Sequence, residues 1–108
     1  MIRPMSCTLD IPVEVQEEAV DLVRGDSQAT QEVGAFLIAL QDGPLVAGRQ
    51  RLDPEVANAF WIRLSCGIYI SWEIDADLND WMKLFAGSVS PHIVVRVLGF
   101  GRDGPAKK

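Results

Sequence analysis

The sequence predicts an α+β domain: an N-terminal two-helix hairpin packed on a small antiparallel β-sheet, with an extra short helix between the last two strands. Three observations predict it. Apolar residues recur at helical spacing between Val15 and Leu40, they switch to strict alternation between Phe60 and Ile74, and a β-branched run occupies 93–98.

Asp10, Ile11 and Pro12 supply a cap and a first-turn proline ahead of Val15, Ala19, Leu22 and Val23, which share one helical face. Gly25 ends this helix. Asp26 or Ser27 then caps a second helix whose inward face is Val33, Phe36, Leu37 and Leu40, and Gly43 with Pro44 stops it. So short a connection makes the two helices run antiparallel or nearly so. Beyond Pro44 the period becomes two. Phe60, Ile62 and Leu64 alternate with Trp61, Arg63 and Ser65, and Ile68, Ile70, Trp72 and Ile74 alternate with Tyr69, Ser71 and Glu73. These are two half-buried strands joined at Ser65, Cys66 and Gly67, where the glycine is free to take a positive φ. The strand at 93–98 carries Arg96 among valines, and 5–9 is the candidate for an additional edge strand. Between Asp75 and Pro91, Leu78, Trp81, Met82 and Phe85 recur at helical spacing, with Asp75 or Asp77 to cap and Gly87 to terminate. That short helix either packs on the sheet edge and hides its hydrogen-bonding groups, or offers Trp81 and Phe85 to a partner or a second copy.

With 108 residues, the chain is expected to form one domain over 1–108 and to bury about two thirds of its unfolded surface. Hydrophobic residues make up 48% and charged residues 23%, which places it among ordinary globular proteins. No apolar run approaches the roughly 20 residues that span a bilayer, because Asp42 closes the longest candidate, 33–40. A cytoplasmic protein without membrane contact is expected. Cys7 and Cys66 are read as reduced and structural, since the chain has no metal-ligand spacing and no secretory signal. His92 is the only histidine, which gives a metal cluster or a Ser-His-Asp triad little support, and no cofactor is expected. The net charge of −5 disfavours nonspecific attraction to nucleic acid or anionic lipid. Acids gather early and again at 73–80, while Arg49, Arg51, Arg63, Arg96 and Arg102 leave room for a basic face on an acidic body.

Tyr69, Ser71 and Glu73 share one strand face. With Arg63 and Arg96 on neighbouring strands they form either a small site for a phosphate or a carboxylate, or a polar sheet face with cross-strand pairs such as Glu73 and Arg96. A tyrosine hydroxyl acts as acid or base only with help to lower its pKa of about 10. Trp61 and Trp72 read as core or interface residues before base-stacking ones.

From Leu37 onward the text resembles the RelE/ParE toxin superfamily of bacterial toxin–antitoxin modules. The matching phrases are LIALQDGP, RQRLD, FWIRLSCGIYISWEID and VVRVLGFGR. The resemblance implies a compact toxin that cuts ribosome-bound messenger RNA or, in the ParE branch, poisons DNA gyrase, and that a cognate antitoxin neutralises. In the ribonuclease branch a 2′-hydroxyl attacks its neighbouring phosphate, which needs a proton acceptor, a proton donor and cations against the growing charge. Arginine suits the last task because its fork binds phosphate oxygens in pairs. Carried over by position, Arg51, Arg63, Tyr69 and Arg102 are the implied catalytic residues, and Arg49 and Arg96 the implied RNA or phosphate ligands. Tyr69 stands where an arginine usually follows the glycine–tyrosine pair, and no tyrosine follows in GPAKK. The retained Arg49, Arg51, Arg63 and Arg102 make the toxin the leading expectation, while these two positions favour a second function from another class, a noncatalytic protein-binding module on the same fold, with the acidic first helix and the Trp81 helix as its contacts.

Overall fold

A computed structural model describes residues 6–102. Its elements run β1 (Thr8–Asp10), α1 (Val13–Val23), α2 (Ser27–Asp42), β2 (Gln50–Arg51), β3 (Ala59–Arg63), β4 (Tyr69–Asp75), α3 (Leu78–Phe85) and β5 (Val94–Gly101). The α+β class, the two N-terminal helices and the helix between the last two strands are as the sequence predicts. The purely antiparallel sheet is not: the order is β1-β5-β4-β3-β2, and β1 runs parallel to β5. Parallel partners need a long connection rather than a hairpin, and here nearly the whole chain supplies it. The start of the expected edge strand, Met5, and the tail from Asp103 lie outside the described residues.

The core forms where α2 meets one sheet face. Ala29, Val33, Phe36 and Leu40, one face of α2, are buried against Phe60, Ile70, Trp72, Ile74, Val95 and Val97. Trp72 sits at the centre with no exposed surface. Its ring meets Phe36 edge-on at 5.5 Å and Phe60 at 6.0 Å, and its indole Nε1–H donates to the Pro44 carbonyl at 3.2 Å. This bond ties the end of α2 to the sheet, and so fixes where the segment leading to β2 begins.

The capping of α1 differs from expectation. Pro12, not Asp10, is its N-cap, without a side-chain cap bond, and Asp10 belongs to β1, where it pairs with Arg96. A short strand ending at Asp10 gives the carboxylate a guanidinium to meet, a stronger partner than a helix amide. α1 keeps its predicted face, with Val15, Ala19, Leu22 and Val23 half-buried on the core. Because β1 pairs only with Val94 to Arg96, the outer edge of β5 is uncovered beyond that point, and α1 lies along it. There Glu18 accepts from the Phe100 amide at 2.7 Å, so the edge amide is not left to another strand.

β5 reaches Gly101, three residues past the expected end, because a bulge absorbs Leu98: Trp72 opposes Val97 while Ser71 opposes Gly99. At the β3–β4 corner the Gly67 amide donates to the Leu64 carbonyl at 2.9 Å, and Gly67 adopts φ +94°, the left-handed residue that closes a three-residue loop. α2 grips this corner from the side, since Glu32 accepts from Ser65 Oγ at 2.7 Å and from the Cys66 amide at 3.0 Å. α3 is capped by the Asp77 carboxylate, which accepts from the Asp80 amide at 2.8 Å, and it ends in a Schellman turn, with Ser88 donating to Lys83 and Gly87, at φ +86°, to Leu84. Among the described residues no helix is long and apolar enough to cross a membrane.

Candidate functional site

Strand register decides which side of the sheet each candidate residue occupies. On β3, Ala59, Trp61 and Arg63 point one way and Phe60 and Ile62 the other. Arg51 is paired with Phe60 and therefore lies on the side of α2, whereas Arg63 is paired with Tyr69 on the opposite side. The sheet itself stands between the two arginines.

On the α2 side, a groove of about 360 Å³ opens between β2 and α3, lined by Leu45, Arg49, Arg51, Phe60, Trp81 and Phe85. Arg49 is positioned by its own turn: its guanidinium donates to the Val46 carbonyl at 3.2 Å and lies 5.3 Å from the centre of the Phe60 ring. Arg51 makes only a long contact to the Pro54 carbonyl, at 3.5 Å. Neither has a carboxylate partner among the described residues, while Arg24, Lys83, Arg96 and Arg102 each have one. Across the groove Trp81 packs partly on the core with its ring 5.8 Å from that of Phe85, which is exposed.

α3 is anchored differently from its sequence pattern. Leu84, outside the four residues that define the pattern, is the buried side chain, with Asp80 beside it. Leu78, Met82 and Phe85 face outward at 77%, 64% and 73% exposure, so most of the predicted apolar face is uncovered. Of that face only Trp81 packs on the core, beside Leu84.

On the other sheet side, Trp61 and Tyr69 are in ring contact at 5.4 Å, and the Arg63 guanidinium lies 5.9 Å from the Tyr69 ring. Ser71, Glu73 and Arg96 follow along the same face. Arg96 is fully committed: Nε donates to Asp10 at 3.1 Å and an Nη to Glu73 at 2.9 Å, and these carboxylates, Asp10 foremost, push its pKa above the ordinary arginine range. Three strands thus carry an acid–base–acid row in register, the ion-paired alternative to a phosphate site. Arg102 points elsewhere again, donating to the Leu22 carbonyl at 3.0 Å and approaching Asp26 at 3.9 Å, where it closes the end of α1.

The structure therefore brings Arg49 and Arg51 together with Trp81 and Phe85, and separately Arg63 with Tyr69. It does not bring Arg51, Arg63, Tyr69 and Arg102 to one place. Leu45 and Phe60 are groove residues that sequence reasoning missed, and the only signal for them is the Arg51–Phe60 register, which a two-residue strand does not announce. Near the start of α3, Asp75, Asp77, Asp80 and His92 line a second hollow, yet Asp77 caps the helix and Asp80 faces Lys83 at 3.8 Å. Among the described residues no group of three or more His, Cys, Asp or Glu could hold a metal ion. Both cysteines are free thiols; burial pushes the Cys7 thiol up, opposed by a backbone hydrogen bond at Ser90. No known protein family, curated protein or solved structure matches the chain.

Proposed function

We propose that this chain is a noncatalytic protein-binding module on a RelE/ParE-like scaffold, working through the groove between β2 and α3. One observation carries the reading: Arg49 and Arg51 share their groove with Trp81 and Phe85, while Arg63 and Tyr69 lie across the sheet. Cleavage by a 2′-hydroxyl needs its acceptor, donor and cations within hydrogen-bond reach of one phosphate. Here the acid of the open face, Glu73, is held by Arg96, and Arg102 is held by the α1–α2 corner. An aromatic wall with guanidinium groups at its rim has the composition of a protein-binding surface, where aromatics and arginine dominate the energetics. The scaffold part of the reading is supported by the order of elements, two helices after a first short strand and then a meander turning at Gly67.

A second reading keeps the toxin-like component itself, acting on the ribosome and messenger RNA or on DNA gyrase and neutralised by a cognate antitoxin. Arg63 favours it, because that guanidinium is exposed beside Tyr69 with no carboxylate partner among the described residues. Induction of the intact chain in a bacterial host, beside R51A/R63A, separates the two. A binding module leaves growth unimpeded at good soluble expression. Arrest by the intact chain that the folded variant abolishes would replace the module reading with the toxin one.

A further inference from the structure

We propose that the groove and the outer face of α3 together receive an acidic amphipathic helix of a partner protein, its apolar stripe along α3 and its carboxylates on Arg49 and Arg51. The inference rests on the binding-module reading and names the partner's chemistry.

Two independent features meet at Phe85. The first is the spacing of Leu78, Met82 and Phe85, at i, i+4 and i+7, all exposed on one helix. Such a row is the ridge that a second helix accepts between its own side chains. A helix of only eight residues held to the domain by Trp81 and Leu84 offers this ridge from a fixed base. The second feature is charge. In a chain of net charge −5, most cations of the described residues are matched to carboxylates within the fold, yet two guanidinium groups with none stand side by side at the end of the ridge. Carboxylates of a partner would complete them as two-pronged hydrogen bonds.

The same two features argue against other occupants. A nucleic acid brings phosphates to the arginines but nothing for the ridge, and an acidic domain repels a polyanion as a whole. A second copy paired about a twofold axis would set ridge on ridge and leave Arg49 and Arg51 unmatched, and a head-to-tail copy offering its acidic α1 would show itself as self-association of the full chain.

The probes are two fluorescein-labelled peptides of about five helical turns, with leucines at i, i+4 and i+7 and flanking positions all glutamate in one and all lysine in the other. Anisotropy titrations with the full chain are expected to give saturable binding of the glutamate peptide, at least roughly tenfold tighter than the lysine peptide. R51E is expected to weaken it by roughly tenfold or more, the scale of losing one partner of a desolvated charge pair. M82S/F85S leaves the charges and is expected to abolish binding; both side chains are exposed, so an unchanged urea midpoint confirms that this variant folds. Equal binding of both peptides, no binding of the glutamate peptide, indifference to R51E, tighter binding of a single-stranded oligonucleotide, or a dimer that M82D dissociates would each overturn the assignment. Growth arrest on induction bears instead on the module reading, so the two failures are distinguishable.

Discussion

Replacing Trp72 by phenylalanine tests whether the core is organised around that one side chain. Two losses follow from its geometry. The Nε1–H that meets Pro44 at 3.2 Å disappears, leaving a carbonyl of a fully buried residue without its donor, which costs about 1–3 kcal/mol. The smaller ring also leaves a gap between Phe36 and Phe60, and roughly two to three methylene equivalents at about 0.8 kcal/mol each add about 2 kcal/mol. The expected sum is about 3–5 kcal/mol, a large fraction of the 5–15 kcal/mol that holds an ordinary domain. With a urea slope near ~2 kcal/mol per M, the midpoint falls by roughly 2 M. Far-ultraviolet circular dichroism is the appropriate probe, since the substitution removes a fluorophore. Phe36→Leu, which loses packing but no hydrogen bond, separates the two contributions and is expected to cost about 1–2 kcal/mol. A loss below about 1 kcal/mol for Trp72→Phe, with unchanged slope, would refute the reasoning. The same bond anchors the segment that leads to Leu45 and Arg49, so faster amide exchange over 45–49 in the variant is a second expected readout.

Further outcomes follow from single contacts. Hydrogen bonds from Ser65, then Gln28, hold the Glu32 carboxyl below its usual range, so its contribution to stability is present above the unfolded pKa and is lost as pH falls through the lower folded one; thermal melts across the acid range should show that loss in the intact chain and not in Glu32→Gln. Gly67→Ala forces a side chain to φ +94° and should destabilise by about 1–2 kcal/mol, with Gly67→Asn costing less, measured by urea unfolding. Arg96→Met leaves Asp10 and Glu73 facing one another, and because the row is partly exposed the loss should stay near ~1 kcal/mol and shrink with salt. Iodoacetamide should label the half-buried Cys66 well before the buried Cys7, and both at once in urea.

The helices were legible because their periodicity and their stop signals agree. Val33, Phe36 and Leu40 mark an inward face, and Asp26 caps it as its position suggests. The β3–β4 hairpin was legible for the same reason, alternation flanking a glycine. What escaped the sequence is everything set by pairing between distant segments. Nothing local in Thr8–Asp10 says that it will run parallel to β5, and a strand as short as Gln50–Arg51 has no period from which to read its face. The site suffered most from this. Arg51 and Arg63 look alike in the text, and one register step decides which side of the sheet each serves. α3 shows a different limit: its four apolar positions imply a buried face, but only Trp81 of them meets the core, beside Leu84, while Leu78, Met82 and Phe85 stay outside.

The exposed side of α3 bears on the proposal that the groove is a working surface. An isolated exposed apolar residue is ordinary on a folded domain, and Val13 or Val20 needs no explanation. A ridge of three on one short helix is different, because each residue could have been polar without loss to a core it does not touch. Arg49 and Arg51 meet the same criterion from the opposite direction. Of the other described cations only Arg63, across the sheet on the Tyr69 ring, also lacks a carboxylate: Arg96 holds two acids, Arg102 closes a helix end beside Asp26, and Glu18 and Glu32 serve backbone amides. Glutamate at position 49 or 51 would leave those contacts intact. An apolar ridge without a core and two cations without acids lie adjacent across one groove, and a partner carrying the complementary pair of features accounts for both at once.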